Sequence, residues 1–128
     1  MPFIRVTALG PALTASQVSQ LNVEVTGLME SVSGKVAELT SVLVEQQEAA
    51  RWTIGGIAIP VAVHVDATVT AGTNTPEQKA LFIERTMTLL KSVFGSTLNP
   101  ETYVVVTEVP ANSWGYDGRT QESRRLLV

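Results

Sequence analysis

Met1-Pro2 opens the chain and runs at once into the strand-like stretch Phe3-Ile4-Arg5-Val6-Thr7-Ala8-Leu9. Loss of the initiator Met leaves a proline whose secondary amine is the chain terminus, and such an amine is both a base and a nucleophile. An ordinary α-amino group titrates near ~7.7–8.0, and an apolar pocket disfavours its ammonium form, so burial brings it toward neutral pH. A general base needs that property. A second proline, Pro60, opens the matching run Pro60-Val61-Ala62-Val63-His64-Val65. Its nitrogen is tied up in the peptide bond to Ile59, so only Pro2 can act as the base, while Pro60 fixes φ at a strand start.

Composition removes most other chemistries. There is no cysteine, and a single histidine provides no His/Cys metal cluster, so no metal or other cofactor is expected. A net charge of −3 with no run of Lys and Arg argues against a nucleic-acid partner, because phosphate neutralisation needs clustered cations. The N-terminus lacks a signal-peptide pattern, and the longest apolar run, Ile54 to Val65, is far short of the ~20 residues of a spanning helix. A cytoplasmic protein without a membrane partner is the expectation. At 128 residues, 45% hydrophobic and 16% charged, the chain suits one domain with a sizeable core.

The elements that must position Pro2 come as an internal repeat, residues 1–58 and 59–128 of that one domain. Thr14-Ala15-Ser16-Gln17 and Thr75-Pro76-Glu77-Gln78 are both capping boxes, in which Thr hydroxyl and Gln side chain exchange hydrogen bonds with the first orphan amides of a helix. Pro76 occupies the first helical position, where its missing N–H costs nothing. Behind each cap, apolar residues recur at helical spacing: Val18, Leu21, Val25, Leu28, Met29 and Val32, then Ile83, Met87, Leu90 and Phe94. A β-rich run follows each helix, Ser41-Val42-Leu43-Val44 and Tyr103-Val104-Val105-Val106-Thr107, and then a turn, Trp52-Thr53-Ile54-Gly55-Gly56 and Trp114-Gly115-Tyr116-Asp117-Gly118.

Each half therefore predicts a right-handed β-α-β unit with parallel strands. Two such units make an α/β domain of one four-stranded sheet with two helices on one face. The other face is left uncovered, its alternate residues are expected to be apolar, and association into an oligomer is the expected remedy.

Pro2, its echo at Pro60, the strand Thr40-Ser41-Val42-Leu43-Val44 and the turn Trp52–Gly56 resemble 4-oxalocrotonate tautomerase, and the chain is similar to the long type of the tautomerase superfamily, with two fused β-α-β units. The run Val105 to Tyr116 is similar to malonate semialdehyde decarboxylases and chloroacrylic acid dehalogenases. The resemblance implies a homotrimer in which Pro2 is the general acid/base for keto-enol tautomerisation of a small-molecule substrate, a 2-oxo acid or aryl enol. It equally admits a hydratase, dehalogenase or decarboxylase of the same superfamily, or a non-catalytic trimer, which a retained Met1 would favour.

The arginines that hold substrate carboxylates in the family are missing. Their positions fall near Pro11-Ala12, at Ser41 or Leu43, and at Thr70 and Thr73. Candidate substitutes are Arg51 and Arg119, which flank the turns within reach of a neighbouring subunit's pocket but more often in such places are just solvated; Thr70 and Thr73, which also read as a polar loop; and Tyr103, which also suits strand packing. Trp52 and Trp114 correspond to the aromatic wall of the family pocket, or to core. Glu45 and Glu108 offer water activation. The side of the sheet on which Arg5 and His64 lie depends on a register the sequence leaves open. The apolar end Leu126-Leu127-Val128 is expected to pack on a neighbouring subunit.

Overall fold

The computed structural model describes residues 1–125, and the expected packing of Leu126-Leu127-Val128 lies outside them. The chain runs β1 (Phe3–Leu9), α1 (Ala15–Ser31), a short 3-10 turn (Ala37–Leu39) and β2 (Ser41–Gln47), then a small hairpin of β3 (Thr53–Ile54) and β4 (Ile57–Ala58). The second half repeats this order with β5 (Ala62–Thr70), α2 (Pro76–Phe94), β6 (Tyr103–Val109) and a hairpin of β7 (Gly115–Tyr116) and β8 (Arg119–Thr120), and adds a short helix α3 (Gln121–Arg125). Both capping boxes form, Thr14 with Gln17 and Thr75 with Gln78. Both hairpins turn through two residues of positive φ, Gly55-Gly56 and Asp117-Gly118, whose twist matches that of the flanking strands.

The four long strands form one sheet in the order β2-β1-β5-β6. β2 lies parallel to β1 and β6 parallel to β5, whereas β1 and β5 are antiparallel, so the two units are joined head to tail across the middle of the sheet. Alternate residues of the central strands, Ile4, Val6 and Ala8 with Val63, Val65, Ala67 and Val69, are buried beneath the helices. Leu21, Val25 and Met29 of α1 and Phe82 and Leu90 of α2 close over them.

The stripe on α2 is rotated by about one residue from the one its pattern suggests. Phe82 is fully buried and Ile83 is 40% exposed, with Thr86 buried between Phe82 and Leu90. Positions 82, 86 and 90 share a helical spacing with 83, 87, 90 and 94, and the polar Thr86 hides the stripe that wins.

The uncovered face corrects a second expectation, because it is polar in large part. Its rows read Ser41-Phe3-Thr68-Thr107, Leu43-Arg5-Asp66-Val105 and Glu45-Thr7-His64-Tyr103 across the four strands. Arg5 Nε pairs with Glu45 Oε1 at 3.0 Å, and Thr107 Oγ1 donates to Asp66 Oδ1 at 2.9 Å. Phe3, Leu43 and Tyr103 are exposed among them. Arg5 and His64 thus lie on the open face, opposite the core.

Candidate active site

Connectivity alone brings several segments to the end of the sheet where Pro2 sits. A parallel β2 obliges the chain to return to the start of β1 before β2 begins, so the connection after α1 must pass this end. Gly34, at φ 68°, turns the chain there, and the Lys35 amide donates back to Met29 O at 3.0 Å. Ser41 N then donates to Pro2 O at 3.1 Å. Because β5 runs against β1 and β6 runs with β5, Thr70, Thr73, the β7-β8 hairpin and α3 all arrive at the same end.

Pro2 is buried there, and two cavities open beside the chain terminus, of which Pro2 lines the first. One, of about 370 Å³, is lined chiefly by Met1, Pro2, Phe3, Ser41, Trp114 and Tyr116 and is mostly apolar. The other, of about 260 Å³, brings Lys35, Thr70, Thr73, Arg124 and Arg125 against Met1. Met1 borders both, so the terminus of the chain lies at their junction. The terminal amine is held below its ordinary value of 8.0, first by burial and then by the positive charges of Lys35 and Arg125.

Hydrogen bonds lock the walls. Trp114 Nε1 donates to Thr70 Oγ1 at 3.2 Å, Thr73 Oγ1 donates to Thr70 O at 2.6 Å, and Lys35 Nζ donates to Thr73 Oγ1 at 2.6 Å. Thr70, itself buried, therefore orients both the indole and the ammonium. A side chain at Gly115 would run into the backbone of Arg119, so glycine is required where the hairpin carries Trp114. Arg124 lies over the Tyr116 ring, 3.7 Å from its centroid, and its Nη2 donates to Tyr116 O at 2.8 Å.

Of the residues singled out from sequence, Trp114, Thr70 and Thr73 thus stand with Pro2. The rest do not, within one subunit. Trp52 and Arg51 follow β2 and lie at the opposite end of the sheet, where Arg51 pairs with Glu48 at 3.2 Å. Tyr103 pairs with His64 in the row of Thr7, four residues along β1 from Phe3, and is 60% exposed. Arg119 lines a different cavity from Pro2, with Asn112, Ser113 and the shared Trp114.

Glu108 is tied up, with Lys79 Nζ at 2.8 Å from one oxygen and Gly72 N donating to the other at 3.4 Å. These bonds lower its pKa, Lys79 foremost, which makes it a poorer base. Glu45 is engaged by Arg5 on the open face. Lys35 is the cation that sequence reasoning missed. A helix-ending glycine followed by lysine, on a connection that must return to the start of β1, is the signal that would have found it.

A larger groove of about 740 Å³ runs between α1 and α2, with Val23, Gly27, Leu28 and Leu89 on its walls, away from Pro2. Among the described residues no group of three His, Asp or Glu is placed to hold a metal ion, and no helix is long and apolar enough to cross a membrane.

Residues 62–123 match the family model described as tautomerase enzyme. The chain has the fold of fused 4-OT structures. A fused 4-OT solved as an asymmetric trimer superposes with a TM-score of 0.83 at 21% identity, covering 95% of this chain and 98% of that one. A member of the cis-3-chloroacrylic acid dehalogenase family gives 0.79 at 18% identity over 98% and 91% of the two chains. A macrophage migration inhibitory factor-like protein from Entamoeba histolytica gives 0.77 at 20% over 93% and 97%. No curated protein matches the sequence. The tautomerase fold accounts for the end-to-end joining of the two units and for the two pseudo-equivalent sheet ends, of which only one carries Pro2.

Proposed function

We propose that this chain is a tautomerase that uses Pro2, freed by loss of Met1, as general acid/base for keto-enol interconversion of a small 2-oxo acid or aryl enol. The observation that carries this reading is the buried Pro2 on the wall of an aromatic cavity, one residue from the chain terminus that a cationic cavity also borders. The neutral amine takes the enol hydroxyl proton, and the resulting ammonium delivers a proton to carbon. Proton transfer of this kind supplies ~10²- to 10⁴-fold. A water-activating hydratase or dehalogenase route has less support, since Glu108 and Glu45 are each held in an ion pair. The test is to compare Met-free protein, verified by intact mass, with protein retaining Met1, on the enol of phenylpyruvate. Turnover confined to the Met-free form is expected, and equal turnover by both would remove Pro2 from the mechanism.

The assembly we propose is a homotrimer, as in the fused 4-OT to which the chain is similar. The open face supports association through its exposed Phe3, Leu43 and Tyr103, and through Arg5, Glu45 and Asp66, which suit a polar interface. In a trimer the Trp52 turn and Arg51 of a neighbour have a route to the Pro2 cavity that they lack within one subunit. Light scattering at micromolar concentration is expected to give three times the chain mass. A persistent monomer would sink the assembly.

A further inference from the structure

Lys35 carries a primary amine that the proton-transfer reading leaves unused. The other two lysines of the chain, Lys79 and Lys91, stand in ordinary settings. Lys79 Nζ is 2.8 Å from Glu108 Oε1, and Lys91 is exposed in the last turn of α2. Lys35 instead lines the cavity of about 260 Å³ with Arg124 and Arg125, and among the described residues no carboxylate lines it. Its Nζ donates to Thr73 Oγ1 at 2.6 Å, and Thr73 Oγ1 donates its own hydrogen to Thr70 O at 2.6 Å. The Thr73 hydroxyl therefore only accepts from Lys35. A neutral amine satisfies that bond as an ammonium does, and keeps its lone pair free. Burial foremost, and then the charge of Arg125, hold the Lys35 pKa below its ordinary 10.5; Glu108 acts the other way, and it is already bonded to Lys79 and Gly72 N. A lysine desolvated beside another cation is the setting in which this side chain becomes a nucleophile.

We propose that Lys35 is an imine-forming site for small carbonyl compounds, aldehydes or 2-oxo acids of a few carbon atoms, taken up in the cavity that it shares with Arg124 and Arg125. The neutral Nζ adds through its lone pair to the carbonyl carbon, so a C–N bond forms and the C=O π pair moves onto oxygen. Transfer of a proton from nitrogen to that oxygen gives a carbinolamine, and departure of its hydroxyl with a second proton, as water, leaves the imine. Water reverses both steps, and no oxidant or reductant is consumed. The arginines do not compete as nucleophiles, because a guanidinium stays protonated. Arg124 borders the same cavity, and its buried Nε has no hydrogen-bond acceptor among the described residues. The oxygen on which charge develops is an acceptor of the kind that such a donor lacks. None of these steps draws on Pro2, so the inference goes beyond the tautomerase reading and stands or falls apart from it.

The test treats the full chain with propanal, an uncharged probe that reports the reactivity of the amine and not the attraction of an anion. Cyanoborohydride reduces the imine to a stable propylamine, and peptide mapping by mass spectrometry follows its growth at Lys35, Lys79 and Lys91. At about pH 7, trapping at Lys35 is expected to run about tenfold or more faster than at Lys91. In urea-unfolded chain the two rates should become equal, since the cavity is gone. Arg125→Ala, an exposed change at the end of α3, is expected to slow trapping at Lys35 about threefold or more and to leave Lys91 unchanged. A folded-state ratio below tenfold, the same ratio in unfolded chain, or a smaller response to Arg125→Ala overturns the proposal. Selective trapping in a protein without enol turnover leaves this site standing and strikes the tautomerase reading alone.

Discussion

Replacing Pro2 by alanine in Met-free protein is expected to lower tautomerase turnover by at least ~10²-fold with the fold intact. A primary amine of different pKa and shape then takes the place of the prolyl base, while Ser41 N still has a carbonyl at position 2 to bond, as it bonds Pro2 O at 3.1 Å now. Pro60→Ala serves as the control, since Pro60 is exposed at the other end of the sheet and its nitrogen is an amide. It should leave the rate within a few-fold. Circular dichroism separates catalysis from folding, and equal losses at both prolines would show that Pro2 matters only for structure. The pH profile adds a direction. Burial, Lys35 and Arg125 lower the pKa of the Met1 amine from 8.0, and the expectation for a Pro2 amine exposed beside the same groups is the same direction, with kcat/KM rising with pH as that amine loses its proton. Lys35→Ala removes one of the lowering charges and should move this acid limb to higher pH.

The second large effect concerns stability. Phe82→Ala is expected to cost about 3–5 kcal/mol, because a fully buried ring leaves both its transfer energy and a cavity behind. Ile83→Ala, one position along the same helix but 40% exposed, should cost well under half of that. Urea denaturation of both variants checks the rotation of the α2 stripe. A larger loss at Ile83 would mean that the helix presents the face containing 83 and 87 to the sheet.

Local chemistry made much of this molecule legible before its fold was known. Capping boxes at Thr14 and Thr75 act within four residues, and two-residue turns at Gly55-Gly56 and Asp117-Gly118 need only their own φ angles, so each announces itself in the chain. The parallel pairing inside each β-α-β unit follows from crossover length and handedness, and it already obliges residues 33–40 to lie beside Pro2. What the chain could not announce was the relative direction of the two units, because no local interaction spans the antiparallel contact of β1 with β5. That contact brought Trp114, Arg124 and Arg125 to Pro2 and sent Tyr103 elsewhere, whereas the parallel pairing of β2 with β1 had already sent Trp52 and Arg51 to the other end. It also set the register that turned Arg5, His64 and Asp66 onto the open face, since a shift of one residue exchanges the two faces of a strand. The base at Pro2 was therefore written in the sequence, whereas the cations and the aromatic wall that surround it exist only once strands distant in the chain lie side by side.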